Sequence, residues 1–143
     1  MIVRAARRDD VPAIVALYAD DDLGATRETP DALERYFAAF DALDGEILVG
    51  ELDGAIVATL QLTVIQQLSS RGGKVAQIEA VRVARARRGG GLGAELMRAA
   101  IARARAADCT RVQLTSNKSR RDAHRFYERL GFAASHEGFK LYF

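Results

Sequence analysis

The sequence predicts an α/β domain in which a mixed, mostly antiparallel central sheet is flanked by about four helices. Three features support this prediction: segments with helical and with alternating periodicity, an Asp-Gly turn between two β-branched runs, and a glycine-rich loop before the longest helix. The predicted order is β-α-α-β-β-β-α-β-α-β-β, with one strand–helix–strand crossover late in the chain. The length of 143 residues fits one domain, residues 1–143.

The first part of the chain is predicted to contain one strand and two helices. Residues 2–5 form the strand, and the acidic turn before Pro12 starts a helix that runs to about Ala19. The acidic run 20–22 and Gly24 then end this helix. Thr29 is the predicted N-cap of a second helix beginning at Pro30. Its apolar stripe consists of Leu33, Tyr36, Phe37 and Phe40.

A three-stranded antiparallel meander is predicted next. Residues 46–52 and 55–65 alternate and are rich in β-branched side chains, and Asp53-Gly54 between them is typical of a two-residue hairpin turn. A third strand spans about residues 75–83, after a turn-like segment at residues 69–73. The meander therefore forms the middle of the sheet.

The remaining elements alternate between helix and strand. Residues 94–107 and 119–130 have helical periodicity, and residues 111–115 between them form a strand. The tail, residues 132–143, is predicted to form two short strands. This arrangement completes the crossover.

The composition is that of a globular protein, with 49% hydrophobic and 28% charged residues. The N-terminal residues lack the apolar stretch of a secretory signal, and no segment has the roughly 18 consecutive apolar residues of a membrane span. We therefore expect a cytoplasmic protein without a membrane partner. The single cysteine, Cys109, has no partner for an intramolecular disulfide and no metal-ligand spacing, so we expect no metal site.

The charges are segregated along the chain although the net charge is only +2. Residues 1–70 contain 5 Lys/Arg and 13 Asp/Glu, a net charge of −8, whereas residues 71–143 contain 16 Lys/Arg and 6 Asp/Glu, a net charge of +10. A basic half suggests an anionic ligand or a nucleic acid, and an acidic half suggests a cationic partner. The alternative is that the two halves attract each other within the fold.

The glycine-rich loop is the most informative segment, and it follows the strand that ends at Val83. Glycines allow successive main-chain N–H groups to turn toward one point, and a helix N-terminus adds positive partial charge, so a pyrophosphate is the expected ligand. The alternative is a sharp turn that needs glycine only for its positive φ. The Walker pattern is excluded because no Gly-Lys-Ser/Thr follows. Gly89, Gly91 and Ala94 match a dinucleotide pattern, but the acidic residue expected about 20 positions later is missing. The loop residues are Arg87, Arg88, Gly89, Gly90, Gly91, Leu92 and Gly93.

The segment from Arg88 to Gly93 reads R-x-x-G-x-G, and this resembles the signature of the GNAT N-acetyltransferase superfamily. Residues 78–83 are similar to the fourth strand of that family, and Asn117 with residues 123–132 is similar to its C-terminal signature. The resemblance covers about residues 77–132. Residues 114–120 and 138–141 look like the small-molecule branch, near the aminoalkylphosphonate acetyltransferases. The resemblance implies the acyl-CoA N-acyltransferase fold and acetyl-CoA as co-substrate.

The resemblance also implies positions for the cofactor. The main chain at Val81 and Val83 would pair with the pantetheine arm, and Asn117 would lie beside that arm. The main-chain N–H groups of the loop would hold the pyrophosphate, and the side chain of Arg87 or Arg88 would reach the phosphates, unless it is simply solvated. These N–H groups belong to Arg88, Gly89, Gly90, Gly91, Leu92, Gly93 and Ala94.

Direct transfer of an acetyl group to an amine requires a base for the amine and an acid for the departing thiolate. We expect Glu79 to be the base, because burial in an apolar strand would raise its pKa; the alternative is a structural carboxylate paired with an arginine. Tyr127 lies at the tyrosine of the family motif and is the expected acid, unless its ring only packs in the core. Glu79 and Tyr127 are thus the expected catalytic residues.

The expected function is therefore transfer of the acetyl group of acetyl-CoA to a primary amine of a small molecule, by direct attack in a ternary complex. The acidic run 20–22 would attract a cationic acceptor, unless it is only a solvated cap of the first helix. If the resemblance to the phosphonate branch holds, Arg120 and Arg121 would instead bind an anionic end of an aminoalkyl acceptor. Alternatives are an acetyl-CoA sensor without catalysis and a nucleic-acid-binding module; the latter is disfavoured because aromatic residues are only 7%. The oligomeric state is left open, with a homodimer as one arrangement.

Overall fold

The computed structural model describes residues 1–21 and 27–143, which form two units, residues 1–113 and residues 114–143. The first unit contains most of the predicted elements, and the predicted α/β class with a mixed sheet is confirmed. The strands are β1 (Ile2–Ala5), β2 (Glu46–Leu52), β3 (Ala55–Gln66), β4 (Lys74–Val83) and β5 (Cys109–Leu114). The helices are α1 (Val11–Ala19), α2 (Leu33–Asp41), the single turn α3 (Ser69–Gly72), α4 (Leu92–Ala106) and α5 (Arg121–Arg129).

The sheet has the order β1-β2-β3-β4-β5, and its first four strands pair antiparallel. β5 runs parallel to β4. Two contacts show this direction: the Thr110 hydroxyl donates to the Lys74 carbonyl (3.1 Å), and Gln113 Nε2 donates to Gln77 Oε1 (2.9 Å). Both contacts join residues 36 positions apart, so residue numbers rise in the same direction along the two strands. The predicted crossover through α4 therefore joins two neighbouring parallel strands.

Helices cover both faces of the sheet in the first unit. Ile14 of α1 packs against Ile47 and Val49 of β2, whereas Glu46, adjacent to Ile47 and so directed to the other face, accepts a hydrogen bond from Arg103 of α4 (2.7 Å). The apolar side chains between these layers are shielded from water and form the core. The buried apolar residues are Val11, Ile14, Val15, Leu17, Ile47, Leu48, Val49, Val57, Ala58, Leu60, Leu62, Val75, Ala76, Ile78, Leu96, Met97, Ala100 and Ala104.

Two predictions about elements are wrong. α2 begins at Leu33 after Ala32, and no side chain caps it, so Thr29 is not its N-cap. Residues 132–143 form neither of the two predicted strands, and Phe139, Leu141, Tyr142 and Phe143 are exposed. A strand is stabilised by pairing and by burial of one face, and this tail has neither in the structure. The predicted helix end at Gly24 and the role of Asp22 lie outside the described residues.

Candidate active site

β4 contains a β-bulge in its second half. Thr59 of β3 lies opposite Arg82, and Gln61 lies opposite Glu79, so Ala80 and Val81 together face the single residue Leu60. Ala80 has a φ of 53°, a left-handed conformation that is unusual for a residue other than glycine. Bulges of this kind interrupt the hydrogen-bond ladder and often lie next to active sites. The bulge therefore lies in the strand whose main chain, at Val81 and Val83, is predicted to pair with the cofactor.

The edge of β4 that faces away from β3 is open beyond the bulge. Because Gln113 is level with Gln77 and β5 ends at Leu114, no strand of the described chain runs beside residues 79–83. The Ala84 N–H donates to the Val57 carbonyl (2.8 Å), next to the Ala58–Val83 pair. In an antiparallel ladder this makes Ala58–Val83 a non-hydrogen-bonded pair, so the Val83 main chain points to the open edge. An extended ligand could add there as a strand.

The glycine loop after β4 carries a row of main-chain donors without protein acceptors. The N–H groups of residues 89–94 donate to no oxygen within the described part of the chain. Gly89 and Gly91 both have a φ of 81°, and Gly91 is the N-cap of α4. A Cβ atom at either glycine would meet nothing within 4 Å, so it is the backbone conformation that favours glycine here. Free donors at a helix N-terminus attract an anion.

An open depression lies beside this loop. It has a volume of about 320 Å³ and is lined by Leu52, Ala86, Arg87, Arg88, Gly90 and Leu92. Arg87 is exposed at its border. Arg88 instead turns toward the strand end, where its Nε donates to the Val83 carbonyl (3.1 Å) and its Nη2 to the Asp20 carbonyl (3.4 Å). The Arg87 side chain also lines the depression, and it makes no hydrogen bond or ion pair within the described residues.

Glu79 is exposed, so the expectation that its carboxylate is buried is wrong. The cross-strand neighbour of Glu79 is Gln61. The next pair along the strands, Leu62 and Ile78, points to the opposite face of the sheet and is buried. The carboxylate therefore reaches solvent at the position just before the bulge. It can accept a proton directly or through water, and no arginine is paired with it among the described residues.

The second unit contains the other two predicted site residues. Asn117 forms a turn before α5: its Oδ1 accepts hydrogen bonds from the Ser119 N–H (2.9 Å) and hydroxyl (2.7 Å), and His124 Nε2 lies 2.9 Å from its carbonyl. Because a carbonyl only accepts, His124 is the donor. The Asn117 Oδ1 and main-chain carbonyl thus stabilise the turn, whereas the side-chain amide nitrogen takes no part in these three bonds.

Tyr127 of α5 is half-buried between aromatic rings. Its ring lies 5.2 Å from that of Phe126 and 6.0 Å from that of Phe132, both edge to face. The ring is thus packed as the alternative interpretation expected. The role of its hydroxyl group as a proton donor stays a prediction.

A group of polar residues at the end of α1 was not predicted from the sequence. Asp21 is buried and lies 2.7 Å from Arg82 of β4, and the nearby Tyr18 hydroxyl interacts with Thr59. Burial raises the pKa of Tyr18 to about 12, although the Arg82 charge opposes this shift. The alternation of β4 gave no indication that Arg82 would be enclosed. The acidic run was interpreted as a ligand site, whereas Asp20 and Asp21 bind arginines of the chain.

The described residues contain neither a cluster of metal ligands nor a membrane-spanning helix. No group of three or more His, Cys, Asp or Glu side chains there could hold a metal ion. No helix in residues 1–21 and 27–143 is long and apolar enough to cross a membrane.

Known proteins resemble this chain over nearly its whole length. The sequence pattern of the Acetyltransferase (GNAT) family matches residues 11–132. A crystal structure named as a transcriptional regulator from Bacillus halodurans C-125 has 40% identity, covers 99% of both chains and has a TM-score of 0.92. A provisionally named acetyltransferase from Agrobacterium tumefaciens str. C58 has 33% identity, the same coverage and a TM-score of 0.88.

A more distant structure, an acetyltransferase from Trypanosoma brucei, has 25% identity, 99% coverage of both chains and a TM-score of 0.80. No protein with a curated description matches the chain. The family pattern spans most of the sequence and includes β4, the glycine loop and α5, and the fold agrees with that of acetyltransferase structures. The chain therefore belongs to the GNAT acetyltransferase family.

Proposed function

We propose that the protein transfers the acetyl group of acetyl-CoA to a primary amine of a small molecule, in a ternary complex. One observation carries the proposal: an open strand edge at Val83 leads directly into the row of free N–H donors at residues 89–94. Coenzyme A has a matching order of groups, since its amide-containing arm can add to a strand edge and its pyrophosphate needs clustered donors. The family generally uses this co-substrate, which agrees with the fit.

Bound acetyl-CoA supplies an activated carbonyl carbon and a thiolate leaving group. The residues of the chain then have separate tasks. Main-chain groups at Val81 and Val83 hold the arm, and the N–H groups of residues 89–94 hold the phosphates, with Arg87 adding a full positive charge. The Arg88 N–H, which the sequence also assigned to the phosphates, instead donates to the Arg85 carbonyl (3.4 Å). The Asn117 amide nitrogen is the part of that side chain left to contact the arm, because its Oδ1 is used in the turn.

Proton transfer is assigned to Glu79 and Tyr127. Glu79 accepts a proton from the attacking amine, directly or through a water molecule, and its exposure allows the acceptor to reach it. The new C–N bond forms as the C–S bond breaks, and the Tyr127 hydroxyl donates its proton to the sulfur. Solvent then returns a proton to Tyr127 and removes the proton from Glu79, so both groups regain their starting states. The products are an N-acetylated amine and free coenzyme A.

Turnover tests this proposal directly. Acetyl-CoA is incubated with the protein and a panel of small primary amines, and free thiol is measured with a thiol-specific chromogenic reagent. We expect thiol release that depends on the protein and on at least one amine, together with the mass of the acetylated amine. Binding of acetyl-CoA without release of thiol across the panel would instead favour a sensor without catalytic activity.

A nucleic-acid-binding function is the second candidate, because the relative from Bacillus halodurans is named a transcriptional regulator and the second half of this chain has a net charge of +10. Three acidic residues of the first half, however, are paired with arginines of the second half. Salt-sensitive binding of double-stranded DNA, with no response to acetyl-CoA, would support this candidate.

A further inference from the structure

The C-terminal end of α1 is joined to β4 by a nearly enclosed ion pair. Arg82 Nε lies 2.7 Å from Asp21 Oδ2, and the two side chains are only 14% and 8% exposed. Most of the ion pairs described elsewhere in the first unit are more exposed, such as Arg8–Asp41 at 57% and 53%. The contact bridges residues 61 positions apart in sequence, so it ties a helix end to the strand at the bulge.

The same guanidinium also contacts the main chain of the bulge. Arg82 Nη1 donates to the Val81 carbonyl (2.9 Å), so one side chain links Asp21 to Val81. The neighbouring Asp20 strengthens this connection, because its carboxylate accepts the Arg85 N–H (3.1 Å) and its carbonyl accepts Arg88 Nη2. We call Asp20, Asp21, Arg82 and Arg88 the α1–β4 cluster.

The α1–β4 cluster contacts the same main-chain segment that binds the acyl-CoA arm in the proposed function. Arg82 holds the Val81 carbonyl, and Arg88 holds the Val83 carbonyl. A bulge with an alanine in a left-handed conformation is a strained segment, and such segments persist only where their surroundings hold them. A guanidinium that contacts a carboxylate and a carbonyl at the same time restricts their relative position, because its donors are held in one plane.

We propose that Asp21 and Arg82 are positioning residues for the co-substrate: their ion pair sets the main chain of β4 at Val81 in the arrangement that binds the acyl-CoA arm. This inference rests on the proposed function. It differs from a purely stabilising role, which would affect folding without affecting affinity for the cofactor. Arg82 itself does not need to touch the ligand.

The test compares Arg82→Met with a matched control, Arg4→Met. Arg4 lies on β1, is 21% exposed, and binds Asp10 (2.7 Å) and Glu51 (2.9 Å), so its loss also breaks part-buried ion pairs on a strand. Calorimetric titration with acetyl-CoA is performed at a temperature at which circular dichroism shows all variants folded. We expect Arg82→Met to raise the Kd about tenfold or more, and Arg4→Met to leave it within about twofold of wild type.

A conservative variant keeps the test decisive if Arg82→Met does not fold. Arg82→Lys retains a charge beside Asp21 but cannot bridge two acceptors in the same planar geometry, so its Kd should lie between those of wild type and Arg82→Met. The KM for acetyl-CoA should rise in parallel, with the KM for the amine unchanged. The inference is overturned if folded Arg82 variants bind acetyl-CoA as wild type does. Failure of the wild-type protein to bind would instead contradict the proposed function.

Discussion

At the scale of single residues, the proposed chemistry depends on two side chains with different surroundings. Tyr127 is packed between Phe126 and Phe132, whereas Glu79 is exposed beside the bulge of β4. The packed ring restricts where the hydroxyl can lie, which favours a donor with a defined position. The exposed carboxylate favours a base that an acceptor can approach from solvent.

Tyr127→Phe and Glu79→Gln should each lower kcat by about 10²-fold or more while leaving the Kd for acetyl-CoA nearly unchanged. Phenylalanine keeps the ring contacts of Tyr127, and an exposed glutamine costs little folding stability, so both variants should remain folded. Steady-state thiol release gives kcat, and calorimetry gives the Kd. A variant with the kcat of wild type would remove that residue from the mechanism.

The catalytic roles of Glu79 and Tyr127 stay predictions, and the structure tests only the elements and the environments predicted for them. Tyr127 was found from its motif on a helix that the structure contains as α5. The burial expected for Glu79 was wrong because the apolar pattern of a strand indicates only that some of its side chains are buried. The pattern does not show which positions along the strand a helix of the folded protein covers. The enclosure of Arg82 was missed for the same reason.

At the scale of elements, the loop between β4 and α4 was predictable because its determinants are local. Glycines at positions that need positive φ and a helix start directly after them can be recognised without knowledge of the tertiary structure. The bulge of β4 was not predictable, since Ala80 has no intrinsic preference for a φ of 53°. The two predicted strands of residues 132–143 failed because strand formation depends on a partner that alternation alone does not supply.

Gly91→Ala should weaken acetyl-CoA binding more than a matched glycine substitution elsewhere. Gly91 and Gly72 have φ values of 81° and 69°, and an added Cβ would meet nothing within 4 Å at either position. Each alanine should therefore lower the free energy of unfolding by about 1–2 kcal/mol, through backbone strain. Only Gly91→Ala should also raise the Kd for acetyl-CoA, by about tenfold, because it alters the donors at the start of α4.

Chemical denaturation and calorimetry on the two variants check this prediction. Gly72 is a suitable control because it lies in α3, which precedes β4, whereas the glycine loop follows the C-terminal end of β4. Equal changes in Kd for the two variants would show that the loop conformation has no special role in binding.

At the scale of the whole molecule, the segregation of charge has a structural explanation within the first unit. Asp21 pairs with Arg82, Asp20 with Arg85, and Glu46 with Arg103, so acidic residues of the first half bind basic residues of the second. This supports the interpretation that the halves attract each other. The exposed pairs contribute little individually, about 0–1 kcal/mol each, and the enclosed Asp21–Arg82 pair has the larger structural consequence.

The central claim is that the open edge of β4 and the glycine loop together form an acyl-CoA site, and calorimetric titration of the wild-type protein with acetyl-CoA tests it most directly. We predict saturable binding of one acetyl-CoA per chain, with an affinity that decreases as salt is added, because the phosphates bind partly through charge. An absence of binding at millimolar acetyl-CoA, with the protein shown to be folded, would contradict the account.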